Sequence, residues 1–173
     1  MVSQNYRMWR SEILDISTCR TCRDLHGKVY EIGKRPQPKP PIHPNCRCRI
    51  AEMPARYAGE GTKMGEFGAD YWLSEYGKLP GYYMSKSEAK MKGWIPEEGN
   101  LKDVLPGVMI AGGVYSNADG HLPESDGRIW YEADLDYSGR FRGSKRILFS
   151  NDGLIFITFD HYQTFTEIIQ GEG

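Results

Sequence analysis

Apolar positions in the second half of the chain recur first at helical spacing. From Asp70 onward they suit one face of a short helix that ends at Gly77, through Tyr71, Trp72, Leu73 and Tyr76. Ser85 followed by Glu88 has the form of a capping box and predicts a second helix, which stops at Gly93. Asn100 is expected to cap a third short helix over 101–105.

After position 107 the pattern changes to runs rich in β-branched and aromatic residues, separated by turn residues. These runs predict strands at 108–115, 128–134, 146–150, 154–159 and 165–169. Asn151-Asp152-Gly153, between two of them, is typical of a hairpin. Helices followed by strands with short connections indicate the α+β class with an antiparallel sheet.

The first 58 residues differ from the remainder in composition. All four cysteines precede position 50, and five prolines stand between positions 36 and 44, so we expect neither a continuous helix nor a central strand in this segment. Lys and Arg number 11 against 5 Asp and Glu, a net +6, whereas residues 59–173 carry 11 against 18, a net −7. We predict a Cys/Pro-rich segment at 1–58, a glycine-rich linker at 59–68 and a second domain at 69–173.

Composition also excludes some classes of protein. Hydrophobic residues make up 39% of the chain and charged residues 26%, which is typical of a globular protein. No apolar run approaches the ~18 residues that a membrane span needs. Residues 1–14 lack the apolar stretch of a secretory signal, so we expect neither a membrane span nor a cleaved leader.

A set of polar residues on the predicted strands points to acid–base chemistry. Glu132 lies inside a strand with Asp134 on the same face, several cations gather at 140–146, and His161 follows another strand. Each has an ordinary alternative as a solvated surface residue. Together they fit cleavage of a phosphodiester without metal, in which a carboxylate takes the proton of a 2′-hydroxyl and an imidazolium protonates the leaving oxygen. That chemistry requires RNA and excludes DNA.

Eight short motifs between Tyr71 and Ile169 resemble one known family. They are Lys78-Leu79-Pro80, Ser85-Lys86-Ser87-Glu88-Ala89, Gly93-Trp94, Gly99-Asn100-Leu101, Ser116-Asn117, Trp130-Tyr131-Glu132-Ala133-Asp134, Arg146-Ile147-Leu148 and Asp160-His161-Tyr162-Gln163-Thr164-Phe165. The stretch is similar to the barnase-like microbial guanyl-preferring ribonucleases. The resemblance implies N-terminal helices followed by a five-stranded antiparallel sheet.

The resemblance also implies the roles of particular residues. Glu132 would be the general base and His161 the general acid, while Lys86, Arg142 and Arg146 would bind the scissile phosphate. Asp134 would hold the two arginines. Tyr115, Ser116 and Asn117 would receive a guanine base, Asp119 would pair with its edge, and Tyr162 would line the site. No cofactor is expected for catalysis.

Two positions depart from the family pattern in the loop that would receive the base. Ala118 stands where the family usually has an arginine, and Asp119 where it usually has a glutamate. One basic contact is therefore missing, which weakens the expected preference for guanine. The same arginine helps to bind the family's inhibitor barstar, so a barstar-like partner would use different contacts here.

The cysteines of the first segment have spacings that suit a metal. Cys19 and Cys22 form one pair and Cys46 and Cys48 another, and His26 or His43 is a substitute ligand or a bystander. A structural zinc, two disulfides and four free thiols all stay open. The run Pro40-Pro41-Ile42-His43-Pro44-Asn45-Cys46-Arg47-Cys48 resembles the end of phage minor head (head-morphogenesis) proteins, some of whose relatives carry C-terminal toxin domains.

The two resemblances together favour a toxin that cleaves single-stranded RNA, attached to a phage-derived segment. It would be secreted or delivered into the cytoplasm of a target bacterium, and an immunity protein would neutralise it in the producing cell. The alternatives are a nutritional or processing ribonuclease, and an inactive nuclease fold that binds RNA or belongs to a virion.

Overall fold

Across the described residues, which are 1–12, 17–137 and 140–171, the strands form one nine-stranded mixed sheet. The strands are β1 (Val2–Ser11), β2 (Val29–Glu31), β3 (Cys48–Tyr57), β4 (Tyr83–Ser85), β5 (Met109–Tyr115), β6 (Trp130–Asp134), β7 (Arg146–Ser150), β8 (Ile155–Thr158) and β9 (Thr166–Ile169). The helices of this computed structural model are α1 (Arg20–Leu25), α2 (Ala69–Tyr76), α3 (Lys86–Met91) and α4 (Leu101–Val104). The strand order is β2-β1-β3-β9-β8-β7-β6-β5-β4.

Most local patterns of the second half are confirmed. Helix α2 ends where Gly77 adopts a left-handed conformation and donates its N–H to the Leu73 carbonyl. Ser85 Oγ accepts the N–H of Glu88 at 3.2 Å, as a helix cap should, at the start of α3. The five predicted strands correspond to β5–β9, and the turn at 151–153 joins β7 to β8.

Asn100 does not cap α4. Its Oδ1 accepts the N–H of Ile95 at 2.7 Å and its Nδ2 donates to the Gly93 carbonyl at 3.0 Å. The side chain therefore closes the turn that precedes α4, and the helix begins without a side-chain cap.

The expected five-stranded antiparallel sheet is wrong in extent, although the α+β class is right. Strand β4 pairs with β5 in parallel. In this pairing Ser85 lies opposite Ala111, just before α3 begins. At the other edge β3 pairs with β9, also in parallel, with Ala55 opposite Glu167. Strands β1 and β2 continue the sheet beyond β3 by antiparallel pairing.

The first segment supplies three strands, and two of them, β1 and β3, have a neighbour on both sides, which corrects the expectation drawn from its prolines; β3 even contains Pro54, opposite Val2. Strand β1 lies between β2 and β3, and it contains no proline. Pro36 to Pro44 all fall in the connection between β2 and β3, where a missing N–H breaks no ladder.

The largest core cluster is shared by the two halves of the chain. It joins Tyr6, Met8, Val29 and Met53 from the first segment to Leu122, Trp130, Leu148, Phe156 and Phe165 from the second. Glu167, which is only 7% exposed, is held from β1 through Ser3 Oγ and, at 2.9 Å, Asn5 Nδ2. The first segment is therefore part of the folded body.

Residues 59–68 form a hydrogen-bonded turn between the halves. The N–H groups of Gly59 and Gly61 donate to Asp70 Oδ2 at 2.7 and 2.9 Å, and Asp70 is fully buried. The domain limits at 58 and 69 stay a prediction. Within the described residues, no helix has both the length and the apolar character needed to cross a membrane.

Candidate active site

Glu132 occupies a place on β6 that a glycine of the neighbouring strand makes available. The register between β5 and β6 shifts between Ala111 and Gly113, so Gly112 lies in a bulge beside Glu132. A Cβ on Gly112 would lie 2.6 Å from Cγ and Oε1 of Glu132. The Tyr162 hydroxyl donates a hydrogen bond to Glu132 Oε2. Gly112 thus leaves room for the carboxylate, and Tyr162 orients it.

Asp134, two residues further along the same face of β6, holds two arginines. Its carboxylate accepts Nε and Nη2 of Arg142 at 2.8 and 2.6 Å, a bidentate pairing. Nε of Arg146 lies 3.1 Å from Asp134 Oδ1, and its Nη1 donates to the carbonyls of Gly143 and Lys145. The hydrogen bonds that Arg142 donates to Asp134 raise the pKa of Arg142. Both guanidinium groups are therefore fixed beside Glu132.

The loop that carries His161 has an uncommon backbone. His161 and Tyr162 both have positive φ, at 56° and 69°, which costs free energy for residues with a side chain. Asp160 anchors the loop by accepting Thr158 Oγ1 and the N–H and Oγ1 of Thr164. Burial alone would raise the pKa of Asp160, but these hydrogen bonds outweigh it and lower the pKa.

This backbone presents His161 to solvent and turns Tyr162 inward. The His161 imidazole is exposed, and its centroid lies 4.8 Å from that of the Tyr162 ring. The Tyr162 ring stacks on Tyr115, with centroids 5.2 Å apart and planes 11° apart. Burial, followed by the hydrogen bond to Glu132, raises the pKa of Tyr162, so its hydroxyl stays a donor at neutral pH. Tyr162 thus connects the histidine with the carboxylate.

Lys86 is the first residue of α3, directly after Ser85. Because Ser85 pairs with Ala111, Lys86 lies at the edge of the sheet next to the bulge at Gly112. Its side chain is half-buried. The fold thus places a cation at the same end of β5 as Glu132.

The loop after β5 is closed by Asn117. This buried residue has a positive φ of 49°, donates Nδ2 to the Leu122 carbonyl at 2.9 Å and accepts the N–H of Leu122 at 3.0 Å. Ser116 is exposed, and Asp119 accepts the N–H of His121 on Oδ1. Burial raises the pKa of Tyr115, at the start of the loop, to about 12.

The predicted site residues therefore converge on one end of the β5–β6–β7 face and the loops around it. A carboxylate, an imidazole and paired guanidinium groups next to each other can move protons to and from a phosphodiester and stabilise its added negative charge. Sequence patterns did not indicate a role for Gly112. Its role depends on the pairing of β5 with β6, which brings Glu132 against it.

The four cysteines and one histidine also come together. All four thiols lie in described residues and are free, so they form no disulfide. His43 Nε2 lies 3.3 Å from Sγ of both Cys19 and Cys22, and Cys22 Sγ lies 3.8 Å from Cys46 Sγ. Tetrahedral zinc, with Zn–S of about 2.3 Å and Zn–N of about 2.0 Å, needs ligand atoms about 3.5–3.8 Å apart. The donor types fit zinc, and they form two groups that share Cys22, one with Cys19 and His43 and the other with Cys46 and Cys48.

His43 and Cys48 each make one further contact besides those within the two groups. His43 Nδ1 lies 2.7 Å from the Pro44 carbonyl, and a proton on Nδ1 leaves the Nε2 lone pair directed at the thiols. Cys48 Sγ lies 3.1 Å from Ser11 Oγ. The sequence alone had not decided whether His43 is a metal ligand or merely lies near the cysteines.

Comparison with known proteins agrees with this geometry. The family model for ribonuclease matches residues 72–169, and that for Phage Mu protein F like protein matches residues 2–51. A ribonuclease from Bacillus intermedius and one from Bacillus pumilus are each 49% identical over 100 residues, covering 58% of this chain and 61% of the relative. A ribonuclease from Heyndrickxia coagulans is 48% identical over 100 residues, 91% of its length.

The chain thus spans about 61% of the length of the two Bacillus relatives. Both expected resemblances are confirmed, the one to phage proteins over residues 2–51. The ribonuclease match covers more than half of the chain and includes the whole cluster around Glu132. The chain belongs to the barnase-like ribonuclease family.

Proposed function

We propose that the protein is a metal-independent endoribonuclease that cleaves single-stranded RNA by transphosphorylation. The observation that carries the proposal is the grouping of the Glu132 carboxylate with two guanidinium groups that Asp134 fixes beside it. This arrangement supplies a base and a preorganised positive charge, which is what attack by a 2′-hydroxyl on phosphorus needs.

In the first step Glu132 removes the proton of the 2′-hydroxyl, and the 2′-oxygen attacks phosphorus. The bond from phosphorus to the 5′-oxygen breaks, and His161 protonates that leaving oxygen, which gives a 2′,3′-cyclic phosphate. Lys86, Arg142 and Arg146 bind the phosphate and stabilise its transition state. Water then opens the cyclic phosphate, with His161 as base and Glu132 as acid. DNA lacks the attacking hydroxyl and is not a substrate.

The base 5′ of the scissile bond is proposed to be guanine. Asn117 fixes the loop from Tyr115 to Asp119, so that exposed Ser116 and the backbone N–H groups are available to a base. The Asp119 side chain is 42% exposed, and its Oδ2 lies 3.6 Å from His121 Nδ1. This exposed oxygen can accept a hydrogen bond from the edge of guanine. Tyr162 lines the site beside the same loop, with its ring stacked on Tyr115.

The proposed test of the chemistry is cleavage of a short guanosine-containing RNA by the wild type, Glu132→Ala and His161→Ala, all in excess EDTA. Both variants are expected to be slower by ~10²-fold or more, with a cyclic phosphate as the wild-type intermediate. Equal cleavage by the three proteins, or none by the wild type, overturns the assignment.

We also propose a structural zinc held by Cys22 together with three of its neighbours Cys19, His43, Cys46 and Cys48. The spacing supports it, because Cys22 belongs both to a group with Cys19 and His43 and to a group with Cys46 and Cys48, and within each group the ligand atoms lie within 4.8 Å of one another. Zinc content measured after purification is expected to be stoichiometric in the wild type and to fall in Cys22→Ala, and comparison of His43→Ala with Cys48→Ala identifies which of the two is a ligand. Retained zinc in Cys22→Ala contradicts the proposed site.

The biological role is proposed to be that of an antibacterial toxin, delivered into a target cell and neutralised at home by a barstar-like immunity protein. The match of residues 2–51 to a phage protein supports this role over a nutritional or processing ribonuclease. Expression without an inhibitor is expected to stop bacterial growth, and Glu132→Ala is expected to relieve it. Harmless expression of a protein that cleaves RNA in vitro favours the processing role.

A further inference from the structure

Residues 24–29 comprise the end of α1, the turn after it and the first residue of β2, and are together called the turn at 24–29. They belong to the first segment but lie against both loops of the ribonuclease site. One is the loop from 116 to 122, which carries Asp119, and the other is the loop from 160 to 164, which carries His161. The two contacts are made by different atoms and can be perturbed separately.

His121 makes the first contact. This residue is only 7% exposed and lies two positions after Asp119. Its Nε2 donates to the Asp24 carbonyl at 2.6 Å, and its own carbonyl accepts the N–H of Val29 at 2.7 Å. Its Nδ1 faces Asp119 Oδ2 at 3.6 Å. The imidazole thus connects the turn with the carboxylate proposed to pair with the base.

Gly27 makes the second contact. Its φ is +89°, and a Cβ there would lie 1.7 Å from the carbonyl oxygen of Gln163 and 2.8 Å from its carbonyl carbon. Gln163 directly follows His161 and Tyr162. Only a residue without a side chain allows this approach, so a methyl group at position 27 would have to displace the loop that carries the general acid.

The turn itself is fixed on the side away from the site. The Gly27 N–H donates to the Trp9 carbonyl at 2.9 Å, and the N–H of Ser11 donates to His26 Nδ1 at 3.2 Å. Trp9 is fully buried, and Val29 lies in the core cluster that both halves share. A displacement caused by a side chain at 27 therefore falls on the loop rather than on the turn.

We infer that the turn at 24–29 positions both loops, so that turnover and base preference of the ribonuclease site depend on the first segment. Gly27 and His121 are positioning residues for the general acid and for the base-binding loop. This inference rests on the proposed function, since it concerns the same site.

The first experiment compares Gly27→Ala with Gly33→Ala. Gly33 has nearly the same φ, +91°, lies in the same segment and has no atom within 4 Å of an added Cβ. Both variants place alanine at a positive φ, but only Gly27→Ala displaces the site. A misplacement of ~1 Å can cost ~10²-fold in rate, so we expect kcat of Gly27→Ala to fall at least ~10-fold. Gly33→Ala should stay within ~2-fold of the wild type.

The second experiment compares His121→Ala with His121→Gln, whose amide can again donate to the Asp24 carbonyl. For His121→Ala we expect a higher KM and at least a ~5-fold smaller ratio of kcat/KM for GpA over ApA, with kcat less affected. His121→Gln should recover most of the ratio. If the wild type shows no base preference, KM for the dinucleotide is the readout. A merely structural role would lower thermal stability and leave ratio and KM unchanged.

The outcomes separate this inference from the proposed function. A folded Gly27→Ala with the kinetics of Gly33→Ala, together with unchanged base ratio and KM in His121→Ala, overturns the inference while RNA cleavage and its loss in Glu132→Ala still hold. If Gly27→Ala does not fold, the His121 pair alone decides. If the wild type does not cleave RNA, the proposed function fails first.

Discussion

Replacement of Asp134 by asparagine tests the arrangement on which the proposed chemistry depends. Asp134 is 1% exposed and is shared by Arg142 and Arg146. Asparagine has nearly the same volume, so Asp134→Asn opens no cavity. It removes the negative charge and turns one acceptor oxygen into an N–H donor that faces a guanidinium group.

The expected loss of stability follows from the burial of the two arginines. Removing one partner of a buried ion pair costs ~3–5 kcal/mol, because the remaining charge stays buried without compensation. The Arg146 side chain is only 5% exposed, so its charge would stay buried without a partner. The Arg142 side chain is 24% exposed and can turn to solvent. We therefore expect a loss near the lower end, ~3 kcal/mol, and a Tm lower by ~6–12 °C for a chain of this size.

Urea denaturation at neutral pH, with the slope m unchanged, measures the loss. The control is Glu88→Gln, which alters a carboxylate of an exposed pair with Lys92 at 3.8 Å and should cost less than ~0.5 kcal/mol. RNA cleavage measured below the transition should also fall at least ~10-fold, because both guanidinium groups that are proposed to bind the phosphate lose their anchor. A loss below ~1 kcal/mol, or full activity, refutes the view that Asp134 holds both arginines.

Three further changes test other parts of the site. Tyr162→Phe keeps the ring stack but removes the hydroxyl that donates to Glu132. We expect kcat for a dinucleotide to fall ~10-fold with little change in Tm. An unchanged kcat means that Tyr162 does not orient the Glu132 carboxylate. Thr164→Val removes a hydroxyl that donates to the Asp160 carboxylate, and the hydrogen bonds to this carboxylate lower its pKa in the folded state. The stabilisation that this hydrogen bond contributes is present above the unfolded pKa of ~3.9 and is lost as pH falls through the folded pKa. The variant should be ~1 kcal/mol less stable than the wild type at pH 7 and equal to it below that window, as urea melts at both pH values would measure; a constant difference contradicts the link to Asp160. Asn117→Gly tolerates the positive φ but loses both bonds to Leu122, so base preference should fall, as dinucleotide kinetics would measure, and an unchanged preference argues against a fixed loop.

The amino-acid sequence by itself determined helices α2–α4 and strands β5–β9 of the second half, but not β4. The capping pair Ser85 and Glu88, the terminal Gly77 and the turn at 151–153 act over at most a few positions, so their effect can be read without knowing the rest of the fold. The candidate site residues were predicted from short motifs and the family resemblance that they carry, and the fold brings those residues to one face.

The tertiary structure alone decided how the first segment joins the second half. Strand β3 pairs with β9, and Ser3 reaches Glu167 across 164 positions of the chain, a distance at which no local pattern specifies a partner. The same holds for Gly112 beside Glu132 and Gly27 against Gln163, since a close approach is a property of two segments and appears in neither one. Local sequence therefore fixed which residues were available to the site, and long-range packing fixed how much of the chain builds it.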